Sequence, residues 1–175
     1  MTLDIIELRK RYEGSHHILV TSDGVNLFLR KWNPKTETQR QSAMLILHGI
    51  TAYSGPYAMI AKPLSERGFT VYGLDLRGHG LSDGNRGDCP SKERFVKDIC
   101  EAIAFVNERH ESVVLIGHSL GILSSIFAMK QCLKNISGSV LLSGGVALRA
   151  GAVQEMSIAQ KLKILISSII TPSRP

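Results

Sequence analysis

Short runs of apolar residues in the middle of the chain constrain its fold most strongly. Residues 43–47 and 113–117 are uninterrupted runs of about strand length, and residues 70–76 form a third, less regular run. Strands that are buried on both faces of a parallel sheet have this composition. Residues 91–109, between the last two runs, repeat apolar side chains at helical spacing. This strand–helix alternation predicts an α/β fold with a mostly parallel sheet and flanking helices.

Further segments extend the same alternation in both directions along the chain. A helix is predicted over residues 57–64, because its apolar side chains recur at helical spacing, and Gly68 is expected to end it. Before it, two β-rich runs are separated by T-S-D-G, and Asp-Gly in this position indicates a hairpin. The remaining strand and helix patterns cover residues 16–20, 25–32, 120–133 and 139–142.

The length and charge of the chain exclude several classes of protein. Its 175 residues suit one domain or part of one, and the net charge of +6 is mild. Residues 121–175 carry six basic residues and one acid. This distribution is too dilute for the dense basic patch of a nucleic-acid-binding protein. We expect no nucleic-acid partner, no metal site and no cofactor, because no metal-ligand or phosphate-loop spacing is present.

The cysteines and the N-terminus bear on location. Cys89, Cys100 and Cys132 are odd in number and lack a C-x-x-C pattern. We therefore expect three reduced thiols and a cytoplasmic location. The first residues include acids where a secretion signal needs an apolar run. No stretch approaches 18 consecutive apolar residues, so we expect no membrane span.

A serine lies between two glycines where the strand over residues 113–117 ends and a helical pattern begins. The sequence over residues 117–121 is G-H-S-L-G. In this context G-x-S-x-G is a nucleophile elbow, a tight turn that lifts the Ser119 hydroxyl above the sheet. The turn also aims the Leu120 backbone N–H at a substrate carbonyl, where the helix N-terminus stabilises negative charge. The sequence therefore predicts a nucleophilic serine.

Two further motifs follow buried strands. His48-Gly49-Ile50 comes directly after residues 43–47, and D-L-R-G-H-G-L-S-D-G covers residues 75–84. Open parallel sheets bind their ligands at the carboxyl ends of the strands. We expect both motifs to lie beside the serine turn.

Individual residues of these motifs have structural alternatives. Asp75 is expected to anchor the loop that follows it. Arg77 and Asp83 either contact substrate or form an ion pair within that loop. His48 and His79 are expected to hold their loops by hydrogen bonds.

With these three motifs, the sequence resembles the α/β-hydrolase superfamily, in the branch of monoacylglycerol lipases and lysophospholipases, from about residue 12 onward. The resemblance implies that Ser119 is the nucleophile and that the backbone N–H groups of Ile50 and Leu120 form an oxyanion hole. It implies hydrolysis of a lipid-like carboxylic ester, such as an acylglycerol or a lysophospholipid, through an acyl-enzyme and without a cofactor. The elbow and loop motifs comprise Gly117, Gly121, His48 and Gly49.

The rest of the triad has no match in this chain. In this fold the triad follows the order serine, acid, histidine. Beyond Ser119 the sequence has no histidine and no aspartate, and Glu155 is its last acid. We expect residues 1–145 to form the N-terminal part of the hydrolase core, truncated after the strand that follows the nucleophile helix, and residues 146–175 to begin the cap. Two interpretations remain: an ester hydrolase, or a non-catalytic fragment or binding module.

Two surfaces point to partners other than substrate. Residues 155–170 have an amphipathic pattern, which suits either a cap helix at the mouth of the site or an interfacial helix that contacts a membrane surface. The strand over residues 139–142 is expected to leave an apolar sheet edge, through which the chain self-associates.

Overall fold

The computed structural model describes residues 4–36, 39–132 and 134–143. The predicted cap segment, residues 146–175, and the amphipathic pattern over residues 155–170 lie outside the described residues. Within the described part, no helix is long and apolar enough to cross a bilayer. The elements in chain order are α1 (Ile5–Lys10), β1 (His16–Val20), β2 (Asn26–Trp32), β3 (Ser42–Leu47), a 3-10 turn (Gly55–Tyr57), α2 (Ala58–Ser65), β4 (Val71–Leu74), α3 (Lys92–Asn107), β5 (Ser112–His118), α4 (Leu120–Gln131) and β6 (Ile136–Leu142).

The strands form one mixed sheet in the order β1-β2-β4-β3-β5-β6. β1 and β2 are the predicted hairpin, and β2 pairs antiparallel with β4. The ladders β3–β4, β3–β5 and β5–β6 are parallel. Leu47 at the end of β3 is level with Leu74 of β4 and Gly117 of β5. The carboxyl ends of these three strands therefore meet at one edge, and the predicted fold class is confirmed.

Helices cover both faces of the sheet. Successive strand residues point to opposite faces. Leu45 and Leu115 accordingly belong to a cluster with Ile99 and Ile103 of α3. Ile46 and Ile116 belong to a second cluster, with Ala61 of α2. All of these side chains are buried, and all except Ile103 and Ile116 are fully buried. The uninterrupted apolar runs of the sequence follow from burial on both faces.

The strand predicted over residues 70–76 is shorter in the structure. β4 spans only Val71–Leu74. The Asp75 carboxylate and the Leu76 N–H form hydrogen bonds with groups of neighbouring loops. The chain therefore leaves the ladder at this point. The same residues that end the strand build the site.

The expectation of three reduced thiols is wrong. Cys100 of α3 and Cys132 at the end of α4 form a disulfide with a Cα–Cα distance of 5.8 Å, which leaves Cys89 as the free thiol. The two helices lie side by side on one sheet face, and this brings the cysteines within disulfide range. Their separation of 32 residues in sequence hid the pair. The prediction of a cytoplasmic location loses its cysteine argument.

Candidate active site

Ser119 lies at the turn between β5 and α4, as the sequence predicts. Its backbone has φ 53° and ψ −113°, a conformation that L residues rarely adopt. The Ser119 N–H donates to the Leu142 carbonyl of β6 at 3.1 Å, and the Ser119 carbonyl accepts from the Ile122 N–H at 3.0 Å. The side chain is exposed. The turn therefore holds the hydroxyl above the end of the sheet.

The glycines on either side of the serine permit three elements to meet. A Cβ added to Gly117 would collide with the Gly121 carbonyl and lie 2.6 Å from the Ser125 hydroxyl. A Cβ added to Gly121 would collide with the carbonyl of Leu47 at the end of β3. The motif thus has a steric reason in this chain, because β3, β5 and α4 approach one another too closely for any side chain at these positions.

The peptide between Gly49 and Ile50 is held from its carbonyl side. The imidazole of His48 is buried, and its Nε2 accepts from the Leu76 N–H at 3.0 Å. Its Nδ1 therefore carries the proton and donates to the Gly49 carbonyl at 2.7 Å. The Ala52 N–H donates to the same carbonyl at 3.1 Å. The N–H of Ile50, in the same trans peptide, consequently points the opposite way.

Ile50 and Leu120 line one cleft. Neither backbone N–H has a hydrogen-bond partner in the part of the chain that the structure describes. The cleft has a volume of about 380 Å³, and its walls include the rings of Phe95 and Phe127. Two donors are thus available beside an aromatic cavity, next to the Ser119 turn.

Asp75 anchors the loop after β4, as predicted. Its carboxylate is fully buried. Oδ1 accepts from the Ser54 N–H at 2.6 Å, and Oδ2 accepts from the Leu81 N–H at 2.8 Å. Both carboxylate oxygens are therefore committed to backbone groups, and Asp75 braces two loops against each other.

Arg77 and Asp83 do not pair with each other, so the ion pair within the loop, one of the two alternatives for these residues, does not form. Arg77 binds Asp98 of α3 at 2.7 Å and Asp23 of the hairpin turn at 2.8 Å. Asp83 binds Arg9 of α1 at 2.6 Å. Hydrogen bonds that Arg77 donates to Asp98 raise the pKa of Arg77 above its usual range, and the hydrogen bond that Arg77 donates to Asp23 lowers the pKa of Asp23. The loop is fastened to three other elements.

No described side chain makes a hydrogen bond to the Ser119 hydroxyl. His118 is the nearest histidine in sequence. Its Nδ1 forms a hydrogen bond with the Tyr57 hydroxyl at 2.8 Å. His48 and His79 hold loops, as predicted, and burial lowers the pKa of His48. The structure thus brings together the serine turn, the two free N–H groups and the anchored loops, but no base.

Sequence reasoning missed Tyr57. Its hydroxyl accepts from the Gly49 N–H at 3.2 Å and also contacts His118, so it ties the loop after β3 to the end of β5. In the sequence, Tyr57 is one of several apolar residues at helical spacing, and this pattern does not indicate its contacts with Gly49 and His118. Among residues 4–36, 39–132 and 134–143, no group of three or more His, Cys, Asp or Glu side chains could hold a metal ion.

Comparison with known proteins agrees with this geometry. The family described as serine aminopeptidase, S33, has a model that matches residues 38–174. Monoglyceride lipase of Rattus norvegicus is 32% identical over 134 residues, which cover 75% of this chain and 43% of the relative.

Solved structures show the same likeness. The monoacylglycerol lipase of Paleococcus ferrophilus has a TM-score of 0.64 at 29% identity, covering 83% of this chain and 52% of that one. The thioesterase domain from the curacin biosynthetic pathway has a TM-score of 0.70 at 20% identity, covering 93% and 55%, and shares the fold alone. The match covers about half the length of these two lipases. With the family model matched over most of its length, the chain belongs to the serine aminopeptidase S33 family and has the α/β-hydrolase fold.

Proposed function

We propose that this site acts on carboxylic esters of lipid-like acids, through an acyl-enzyme on Ser119. The observation that carries the proposal is the turn at Ser119, whose positive φ lifts a hydroxyl above the strand end. The Ile50 and Leu120 N–H groups that line the adjacent cleft support it.

The chemistry follows from these groups. The Ser119 oxygen attacks the ester carbonyl, and the carbonyl electron pair moves to its oxygen. The N–H groups of Ile50 and Leu120 donate to this developing oxyanion. The C–O bond to the alcohol then breaks, and the leaving oxygen takes up the proton that the Ser119 hydroxyl gave up. Water hydrolyses the acyl-enzyme to the free acid and restores the Ser119 hydroxyl.

The proposed substrate class is the acylglycerols and lysophospholipids. The aromatic walls of the cleft suit an acyl chain, and several relatives are monoglyceride lipases by name. We also infer peripheral contact with lipid surfaces, because residues 121–175 carry six basic residues against one acid.

A second candidate function is that of a non-catalytic binding module. It is favoured by one observation: no described side chain makes a hydrogen bond to the Ser119 hydroxyl. Five of the six histidines before Ser119 hydrogen-bond other groups among the described residues, and the sixth, His17, packs against the rings of Tyr72 and Phe105. Without a base the serine hydroxyl stays protonated near neutral pH and is a weak nucleophile.

We expect the 175-residue chain to hydrolyse a short-chain aryl ester only slightly faster than background. In a serine protease, loss of the histidine costs about 10⁶ in turnover and leaves about 10³ to 10⁴ over water. The measurement is ester hydrolysis together with fluorophosphonate labelling, for this chain and for Ser119→Ala. Fast turnover that disappears in Ser119→Ala would show that a base exists within these residues.

A chimera tests the nucleophile itself. Residues after Leu142 are replaced by the corresponding segment of rat monoglyceride lipase, because the triad acid and histidine follow the serine in this fold. The proposal predicts ester hydrolysis and labelling, both lost in the Ser119→Ala chimera. A folded chimera that labels at another residue, or not at all, would contradict the assignment of Ser119.

A further inference from the structure

We propose that His79, with both ring nitrogens protonated, is a positioning residue for the Ile50 turn. Its imidazolium links the Ile50 carbonyl to the loop after β4, and so sets the direction of the Ile50 N–H. The inference rests on the proposed function, because it concerns the N–H that would donate to the oxyanion.

The contacts of the ring specify its protonation. Nδ1 lies 2.9 Å from the Arg77 carbonyl, and Nε2 lies 2.8 Å from the Ile50 carbonyl. Backbone carbonyls only accept hydrogen bonds, and a neutral imidazole carries a single N–H. A neutral His79 would therefore direct a nitrogen lone pair at one of the two oxygens. Only the imidazolium donates to both.

The neighbouring His48 shows the opposite arrangement. Its Nε2 accepts from the Leu76 N–H and its Nδ1 donates to Gly49, which is the pattern of a neutral ring. The two ring centroids are 5.2 Å apart. Burial is the main cause that lowers the pKa of His48. The pair thus divides into one neutral and one charged ring.

The two rings hold the peptides on either side of Ile50. His48 donates to the carbonyl before Ile50, and His79 binds the carbonyl after it. Fixing both peptide planes fixes both backbone dihedrals of the residue. The Ile50 side chain is 65% exposed, so packing contributes little to its position. Hydrogen bonds from the two histidines therefore hold the turn.

Charged groups surround His79 on each packed element. Arg86 donates to the Gly80 carbonyl, and Asp75 lies under Gly80. Asp88 and Lys92 line the same cleft as His79. The remaining neighbours are His48, Arg77 and Asp83. The Arg77 guanidinium is paired with Asp98, and the Asp83 carboxylate is paired with Arg9. Because these charges are of both signs, they do not by themselves favour the protonated or the neutral ring. The two carbonyl contacts of the ring distinguish the two forms.

Long-range ¹H–¹⁵N spectra of the histidine-labelled 175-residue chain test the protonation directly. We expect two N–H signals for His79 and one for His48. The Ala52 amide should be protected from exchange in the same chain, because Ala52 closes the turn on the Gly49 carbonyl. A single N–H signal for His79 overturns the proposal.

Variants supply the matched comparison. His79→Gln offers one amide nitrogen to two carbonyls, and Ala52 amide exchange should become about tenfold faster or more. His110→Gln, just before the other end of β5, removes a ring that contacts the ring and hydroxyl of Tyr72 and should leave that exchange unchanged. Equal effects of the two variants contradict the proposal. None of these measurements needs turnover, so failure of Ser119 to react would overturn the proposed function and leave this result standing.

Discussion

Ser119 stores strain that its neighbours hold in place. A non-glycine residue at φ 53° costs about 1–3 kcal/mol, and hydrogen bonds to Leu142 and Ile122 fix it there. Gly121 lies directly against β3, so the turn depends on this contact as much as on the serine. Strain of this kind persists only where the surroundings determine the backbone conformation.

Gly121→Ala should destabilise the protein by about 1–3 kcal/mol, because its Cβ would overlap the Leu47 carbonyl, which is rigid backbone. The measurement is the urea-unfolding midpoint followed by circular dichroism. Gly138→Ala is the matched control: no atom lies within 4 Å of the added Cβ, and we expect a change of less than about 0.5 kcal/mol. Equal stability of Gly121→Ala and wild type would show that β3 does not confine the turn.

Asp23 provides a pH-dependent contribution to stability. The Arg77 hydrogen bond, followed by that of the Thr21 hydroxyl, lowers the pKa of Asp23 in the folded state. A carboxylate with a lowered folded pKa stabilises the protein above its unfolded pKa of about 4, and this contribution is lost as the pH falls below that value.

The stability difference between wild type and Asp23→Asn should therefore shrink from pH 7 to pH 3. Urea-unfolding midpoints at both pH values measure it, with Glu13→Gln, at an exposed carboxylate, as the control. A difference that stays constant or grows on acidification would contradict the assigned ion pair.

The sequence predicted those site residues whose constraint is local. The glycine spacing around Ser119 reports on one turn, and the structure has that turn. The partners of Arg77 were not predicted, because Asp98 and Asp23 reach it through tertiary packing. Tyr57 was missed for the same reason, since its contacts with Gly49 and His118 depend on where two loops meet.

At the scale of elements, the α3–α4 pair supports the serine turn. α4 begins directly after Ser119, and the disulfide joins its far end to α3. The helix patterns of the sequence predicted both helices to within a few residues. Periodicity does not show that the two helices lie side by side, so the disulfide between Cys100 and Cys132 was not predicted.

Reduction of this disulfide should lower the free energy of unfolding by about 3–4 kcal/mol, the loop-closure value for 32 residues. The double variant Cys100→Ser/Cys132→Ser should show the same loss, and Cys89→Ser should show little. Thermal melts with and without reductant measure the effect. A thiol assay on the unfolded, unreduced chain should find one reactive thiol, and three would contradict the bond.

At the scale of the whole molecule, the sheet has two outer strands. β6 pairs only with β5 among the described residues, and its Val140 and Leu141 are each 45% exposed. β1 is the other outer strand, and Val20 at its end is 63% exposed. Unprotected edges with apolar side chains promote pairing between molecules.

The chain should self-associate through β6, which sedimentation velocity at several concentrations would detect. Charges on an edge strand oppose such pairing. Val140→Lys/Leu141→Lys should therefore shift the protein toward monomer, whereas Val20→Lys, on the opposite edge, should not. A monodisperse wild-type monomer would contradict the prediction, and rescue by Val20→Lys would place the contact on β1 instead.

The strand order also has a consequence for synthesis on the ribosome. β3 lies between β4 and β5, both of which come later in the chain, so it has no partner when it emerges. Such non-local pairing is slow and exposes apolar strands to aggregation. Before Val71 is made, three of the six described strands have been synthesised, and of their ladders only β1–β2 can close. The nascent chain therefore exposes Leu45, Ile46 and Leu47, all fully buried in the folded protein, until β4 and β5 follow.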